Sequence, residues 1–162
     1  MPHLMSRILR SALAALLFVV LGTGLGLRPR ASRPNSLTVT RADGTSQNFT
    51  VELAVSAEQR AQGLMNRREM AADQGMLFDF GTTRRVYMWM KNTYLPLDML
   101  FLHPDGTIAH IASGKPLSEE IIDSRAPVRF VLELNAGTAS TLGIAVGDRV
   151  ESPQIAASSP KP

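Results

Sequence analysis

A dense group of aromatic and polar residues begins at Trp89, the single tryptophan of the chain. Lys91, Asn92 and Thr93 follow closely, and Asp98 comes shortly after them. An aromatic ring beside amide, hydroxyl and carboxylate groups is typical of a site for a carbohydrate or another small polar molecule. Turn chemistry offers a second interpretation, in which the tryptophan lies in the core, Asn92 forms a left-handed turn and Lys91 pairs with Asp98. Both interpretations remain open from the sequence alone.

Three further polar residues complete the candidate ligand-binding set: Arg67, Glu133 and Asn135. Arg67 and Arg68 form a basic pair in a predicted loop, where they would contact an anionic polymer or simply solvent. Glu133 alternates with Arg129 along a predicted strand, as an ion-paired or solvated strand face also would. Each of these residues could therefore bind a ligand or have only a structural role, and the sequence does not distinguish the two.

Two of these residues, Asp98 and Glu133, are also candidates for catalysis. A pair of carboxylates can hydrolyse glycosides when both groups meet in one cleft, and Lys91 would assist electrostatically. No nucleophile elbow of the form G-x-S-x-G occurs in the sequence. An envelope hydrolase or lyase is therefore an alternative function, and the sequence favours a protein that is not an enzyme.

The methionines suggest a further alternative, because thioethers select Cu(I) among metal ions. Most of the eight methionines lie in the middle of the chain, and Met88 and Met90 would share one strand face. Methionine is also a common core residue. Only His103 and His110 are available for zinc beyond the N-terminal segment, without HxH or HExxH spacing. We therefore predict no metal and no cofactor, with a Cu(I)-handling module as the alternative.

The N-terminal segment has the composition of an export signal. Arg7 and Arg10 precede the uncharged apolar run Ser11–Leu27, which is also nearly long enough to span a bilayer. We predict a signal peptide or N-terminal membrane anchor over residues 1–27 and a flexible linker over residues 28–36. The protein is then exported to the periplasm, or anchored in the inner membrane if the leader is retained, and contacts membrane only through this segment.

The basic pI of about 9.8 comes from that segment. Residues 37–151 contain 11 lysines and arginines against 14 aspartates and glutamates, so they are mildly acidic. Nucleic-acid-binding domains normally have a basic surface, and we therefore expect no nucleic-acid partner. The chain has no cysteine, which excludes disulfides, thiolate metal sites and a cysteine nucleophile.

Short alternating segments separated by tight turns dominate residues 37–151. No βαβ spacing, internal repeat or glycine-rich phosphate loop occurs. This pattern predicts a mainly β fold, as a compact β-sandwich or barrel-like single domain with two short helical inserts. Residues 152–162 are rich in serine, alanine and proline and predict a disordered tail.

The two helices have recognisable local signals. Ser56 and Gln59 form a capping box that begins a helix running to about Met65. Asn135 would cap the second helix, predicted over Ala136–Leu142.

The strands around the polar group are predicted from apolar runs. Val86–Met90 and Leu97–Leu102 would form one hairpin whose turn contains the polar residues. Gly75–Phe80 would be a separate strand that ends at Gly81. Gly114–Pro127 shows no convincing strand pattern and is predicted to be a long surface loop.

Several ordered blocks give the chain a family resemblance: Gly63-Leu64-Met65 with Arg67, Gly75-Met76-Leu77-Phe78, Trp89-Met90-Lys91-Asn92-Thr93, Pro96-Leu97-Asp98, and Val131-Leu132-Glu133-Leu134-Asn135-Ala136-Gly137. Through these blocks the chain resembles domain-of-unknown-function family 192 over about residues 50–151. The resemblance implies a small β-rich fold, often with an export leader. It implies no particular reaction, substrate or catalytic residue.

Together these features predict an exported binding or accessory module of the cell envelope. Its expected ligand is a glycan or another small polar molecule, and an envelope protein is a further candidate partner.

Overall fold

One seven-stranded sheet organises residues 35–158, the part of the chain that the computed structural model describes. Its strands are β1 (Ser36–Thr40), β2 (Ser46–Ala54), β3 (Gln74–Met88), β4 (Leu97–Leu102), β5 (Ile108–Gly114), β6 (Ile122–Asn135) and β7 (Arg149–Glu151). Their spatial order is β5-β4-β6-β3-β2-β1-β7. Neighbouring strands are antiparallel, apart from the parallel pair β2 and β3.

The sheet curls until its two edges make contact. The Val150 amide of β7 donates a hydrogen bond to the Gly106 carbonyl at 2.8 Å, just before β5. Gly106 has a φ of 87°, and a Cβ there would lie 2.0 Å from the Val150 carbonyl oxygen, so this approach requires glycine. The predicted mainly β, barrel-like single domain is confirmed, in the form of a half-barrel.

Within residues 35–158 three short helices accompany the sheet: α1 (Ala57–Gln62), α2 (Thr138–Leu142) and α3 (Pro153–Ser158). The predicted capping box begins α1, because the Gln59 amide donates to Ser56 Oγ at 3.1 Å and the Ser56 amide donates to Gln59 Oε1 at 2.9 Å. The helix ends at Gln62, three residues before the predicted end at Met65, and Gly63 is its C-cap.

The third helix, α3, lies in the segment predicted to be a disordered tail. Ile155 is buried in the core, and the Gln154 side chain donates a hydrogen bond to Asp79 Oδ2 at 2.8 Å. These contacts compensate for the ordering of a segment whose composition alone favours disorder. The prediction of disorder was therefore wrong for residues 153–158.

The predicted hairpin of Val86–Met90 with Leu97–Leu102 was also wrong. β6 lies between β3 and β4 and pairs antiparallel with both of them. Local propensity identifies strands, whereas the choice of pairing partner depends on packing between distant segments. β3 also continues past Gly81, through irregular register between Asp79 and Arg84, and so joins two predicted segments into one bent strand.

The start of β6 occupies part of the predicted surface loop. The strand begins at Ile122, so the loop between β5 and β6 covers only residues 115–121. Ser124 is fully buried in β6; its hydroxyl accepts a hydrogen bond from the Val86 amide at 3.0 Å and donates one to the Ala126 carbonyl at 2.7 Å. Ser124 interrupts the apolar pattern of the strand, and its hydrogen bonds to backbone groups allow this polar residue to be buried. The sequence pattern therefore did not reveal this part of β6.

The two faces of the sheet bury two separate cores. The first core includes Leu77, Leu100 and Leu132, and the second core includes Phe78, Phe101 and Val131. Adjacent strand residues alternate between the faces. Each fully buried side chain of this kind contributes about 1.5–3 kcal/mol to stability, so both faces specify the register.

No helix within residues 35–158 is long and apolar enough to cross a membrane. The predicted leader over residues 1–27 lies outside the described residues, as does the predicted linker up to residue 34. Both stay predictions.

Candidate functional site

A small surface cavity of about 30 Å³ lies between the end of α1, strand β6 and the segment after β3. Three of the predicted site residues line it: Trp89, Thr93 and Glu133. A cavity of this volume holds about one water-sized group. The structure therefore brings part of the predicted polar site together with a carboxyl group from a distant strand.

Strand alternation places Glu133 in this cavity. Leu132 and Leu134 face the first core, so Glu133 faces the second core, in register with Met76 of β3 and Met99 of β4. Only 4% of its surface is exposed. Methionine neighbours offer no strong hydrogen-bond donor.

The Glu133 carboxyl lacks a partner among residues 35–158, none of which donates a hydrogen bond to it or forms an ion pair with it. Burial raises the pKa of Glu133 to about 8, because desolvation disfavours the charged form. The group is therefore mainly protonated at neutral pH. It can donate a hydrogen bond in that state and attract a cation once it ionises.

Trp89 lies beside the cavity with 45% of its surface exposed. The interpretation that placed this ring in the core was therefore wrong. Lys91 Nζ lies 5.2 Å from the centroid of the Trp89 ring and 3.9 Å from Glu119 Oε1. An exposed cation–π contact of this kind contributes about 0.5–1 kcal/mol, so the ring is accessible and only weakly covered.

The turn after Trp89 has the predicted chemistry. Asn92 adopts a φ of 56°, and its carbonyl accepts a hydrogen bond from the Asn66 amide at 2.8 Å. Thr93 is buried, and its carbonyl accepts a hydrogen bond from the Leu117 amide at 2.9 Å. These bonds attach the turn to the segment after α1 and to the loop between β5 and β6. Asn92 thus shapes the site through its backbone.

Asp98 does not belong to this site. It pairs in register with Leu134, and both face the first core, on the opposite side of the sheet from Glu133. Its Oδ2 accepts a hydrogen bond from the Ala139 amide at 2.9 Å. The predicted Lys91–Asp98 pair is therefore wrong, and the two carboxylates do not form an acid–base pair.

Arg67 and Asn135 also have structural partners. Arg67 binds Glu52 through two hydrogen bonds of 2.5 and 2.6 Å. The Asn135 side chain donates to the carbonyls of Met70 and Ala71 at 2.9 and 3.1 Å. Asn135 was predicted to cap the second helix, but α2 has Gly137 at its N-cap. Neither residue lines the cavity beside Trp89.

The methionine pair of the Cu(I) alternative is divided between two environments. Met88 lines the cavity, whereas Met90 is fully buried and packs so closely on Gly114 that a Cβ there would lie 2.5 Å from the Met90 sulfur. The two sulfurs therefore do not offer an ion one accessible site. Among residues 35–158, no cluster of three histidine, aspartate or glutamate side chains is arranged to hold a metal ion.

Sequence reasoning did not assign the other lining residues to this site, among them Met65, Phe78 and Met88. Gly63 was the available signal, since a glycine near a helix end often marks a close approach. A Cβ on Gly63 would lie 3.3 Å from the Phe78 ring. The end of α1 therefore packs tightly over the sheet beside Glu133.

Two larger depressions, of about 480 and 440 Å³, lie elsewhere on the surface. The first follows β1 and β7, and the second contains the paired Arg67 and Glu52. Volume alone favours them as ligand sites. We consider the small cavity the stronger candidate because it alone among these three contains a buried carboxyl without a partner in residues 35–158.

Comparison with known families supports the sequence resemblance. The model of the family described as "Uncharacterized ACR", DUF192, matches residues 38–152. The chain belongs to the DUF192 family. No curated protein matches this DUF192 chain.

Two solved structures are similar to the DUF192 domain. A protein of Sinorhizobium meliloti 1021, provisionally described as a transcription regulator, is 62% identical, with a TM-score of 0.71 over 72% of this chain and 91% of that chain. A protein of unknown function from Novosphingobium aromaticivorans is 38% identical, with a TM-score of 0.69 over 72% of this chain and 83% of that chain.

Proposed function

We propose that this DUF192 domain is a binding module for a small polar ligand, which binds where Trp89 and Glu133 meet at the cavity. The observation that supports it is the buried Glu133 carboxyl, which has no partner in residues 35–158 and lines a cavity beside an exposed indole. The carboxyl oxygens reach this cavity, since no side-chain oxygen in residues 35–158 is both fully buried and without a hydrogen-bond partner. Perturbed groups of this kind concentrate at functional sites.

Each residue of the site has a distinct role in this proposal. Trp89 provides a flat surface for stacking, and Glu133 provides a directional polar contact inside the cavity. Lys91 covers the ring and is displaced by the ligand, since its contact with Glu119 is long. Asn92 and Thr93 hold the turn in place.

We further propose that the domain acts in the cell envelope, with a glycan as the preferred ligand class and an envelope protein as a further partner. The arginine-flanked apolar run over residues 7–28 supports export. The relative described as a transcription regulator does not lead us to propose nucleic acid as a partner, because residues 37–151 have an excess of acidic residues.

Catalysis by Glu133 is a second candidate, because its carboxyl group lines a surface cavity. A carboxyl whose pKa is about 8 can act as a general acid at neutral pH. The hydrolase or lyase that uses Asp98 and Glu133 together is not proposed, because the two residues face opposite sides of the sheet.

A ligand screen by thermal shift tests the binding proposal. The full-length chain, purified in mild detergent, is screened against envelope oligosaccharides, nucleotides and lipid headgroups. A ligand at 100 times its Kd adds about 2.7 kcal/mol to stability, which is readily measured. We expect a hit that Trp89→Ala abolishes.

The matched control is Tyr94→Ala. Tyr94 is also an exposed aromatic residue with a cation over its ring, at 4.5 Å from Arg68, and it does not line the cavity. Ligand binding should survive this change. A hit that is insensitive to both Trp89→Ala and Glu133→Gln would place the binding site elsewhere and overturn the proposal.

A further inference from the structure

The cavity beside Trp89 is lined by groups that attract a cation. Trp89 and Phe78 contribute aromatic rings, Met65 and Met88 contribute thioethers, and Glu133 contributes a carboxyl group. Aromatic rings bind ammonium groups through their negative faces, and a carboxylate adds a charged hydrogen-bond acceptor. Glu133 supplies the one carboxyl group among the lining residues, which also include the polar side chains of Gln62 and Thr93.

The positively charged side chains near this cavity interact with groups other than Glu133. The Arg60 side chain also lines it, but Arg60 Nη1 donates hydrogen bonds to the backbone carbonyls of Val55 and Asp79. Lys91 Nζ lies over the Trp89 ring. Within residues 35–158, Glu133 therefore has no cationic partner. The Lys91 contact also demonstrates that an ammonium group fits over this indole.

We propose that the ligand presents a protonated primary amine, whose ammonium group enters the cavity and pairs with Glu133. The inference rests on the binding function proposed above and specifies its ligand class. The volume of about 30 Å³ suits a single ammonium group. An amino sugar and a lysine-type side chain both supply this group, so the experiment includes a probe for each source.

Ammonium binding has a defined proton balance. Free Glu133 is mainly protonated at neutral pH because burial raises its pKa to about 8. An ammonium partner favours the carboxylate, so binding transfers the Glu133 proton to solvent while the amine keeps its own protons. Affinity therefore rises about tenfold from pH 6 to pH 7, with close to one proton released for each ligand bound.

Isothermal titration of the full-length protein in mild detergent tests the inference. Glucosamine represents an amino sugar and Nα-acetyl-lysine methylamide represents a lysine side chain. Their N-acetylated forms are neutral controls of closely similar shape. Titrations at pH 6 and pH 7, in two buffers of different ionisation enthalpy, measure proton release. We expect at least one amine to bind with proton release, and its acetylated form to bind at least about tenfold more weakly.

The Glu133→Gln variant separates ionic pairing from neutral hydrogen bonding. Glutamine keeps the size and hydrogen-bonding capacity of the side chain but cannot ionise. Amine binding should weaken at least about tenfold and lose its proton release. Glu120→Gln is the control, because it makes the same substitution at an exposed position outside the cavity.

Two results would overturn the ammonium assignment. One is failure of both amines to bind at millimolar concentration, and the other is amine affinity that Glu133→Gln leaves unchanged. If a neutral ligand from the screen still binds and Trp89→Ala abolishes that binding, the proposed binding function stands and only the ligand class is wrong. If no ligand depends on either Trp89 or Glu133, both proposals fail together.

Discussion

Two buried carboxylates on neighbouring strands of this sheet have different environments. Asp98 on β4 and Glu133 on β6 are 6% and 4% exposed and face opposite cores. Asp98 accepts a hydrogen bond from the Ala139 amide and holds the start of α2. Glu133 has no such donor within residues 35–158. Burial is nearly equal, so the presence of a partner distinguishes a structural acid from a candidate functional one.

A third buried acid, Asp79, supports this distinction. Desolvation alone would raise its pKa, but hydrogen bonds from Arg129, Gln154 and the Gly81 amide lower the pKa below its usual value. For Glu133 desolvation acts without opposition, and its pKa rises. The two pKa values therefore shift in opposite directions, because Asp79 has donors around it whereas Glu133 has none and lies deeper in the protein.

The largest expected effect is a pH-dependent loss of stability caused by Glu133. Its pKa is about 8 in the folded protein against an ordinary value of 4.5. The folded state therefore holds this proton more tightly, so the stabilising contribution is complete below about pH 4.5 and is lost as pH rises through 8. Urea unfolding should show a loss of about 4 kcal/mol between pH 5 and pH 9 from this group.

Glu133→Gln is the control for that measurement. The variant cannot ionise, so the difference between the two pH profiles isolates this group from all other titrations. The variant should be the more stable protein at pH 9. Parallel profiles for the two proteins would mean that burial does not raise the pKa of Glu133, and the contrast with Asp79 would disappear.

Removal of the structural acid Asp98 should also cost stability. Asp98→Ala leaves the Ala139 amide without its acceptor, and an unsatisfied buried donor costs about 1–3 kcal/mol. Chemical denaturation at pH 7 measures the loss. Asp98→Asn keeps an acceptor oxygen and should lose less. Full stability in Asp98→Ala would show that the hydrogen bond contributes little and that the two carboxylates are not functionally distinct.

A smaller effect is expected from the cap of α1, whose end lines the cavity. Ser56→Ala removes the hydrogen bond to the Gln59 amide and should lower stability by about 1 kcal/mol. Thermal unfolding measures this change. Ligand affinity should be unaffected while the protein is folded, because Ser56 does not line the cavity. A large loss of affinity would mean that the position of α1 controls the site.

Local signals in the sequence were sufficient for the elements that depend on neighbouring residues. The capping box at Ser56 and the left-handed turn at Asn92 occur as predicted. Trp89, Thr93 and Glu133, three of the predicted ligand-binding residues, line one cavity. The pairing of β3 and β4 could not be predicted, because β6 enters between them from a distant part of the chain.

The roles of Asp98 and Glu133 depend on which face of the sheet each side chain occupies. Strand alternation gives that face only after the pairing of the strands is known. Asp98 and Glu133 were both predicted as candidates for a ligand or an acid–base pair. Their faces follow from the register of Asp98 with Leu134, which the sequence does not contain as a local pattern. The same limitation explains why Met65 and Phe78 were not recognised beside Glu133.

The smallest expected effect concerns Lys91, which competes with a cationic ligand for the Trp89 ring. Lys91→Gln removes a contact worth about 0.5–1 kcal/mol and should strengthen amine binding about two- to fivefold. Arg68→Gln removes a similar contact over Tyr94, away from the cavity, and should change nothing. Titration of both variants with the same amine measures the difference. If Lys91→Gln instead weakens binding, Lys91 contacts the ligand directly, and an anionic or neutral ligand becomes the better match for Glu133 in its protonated form.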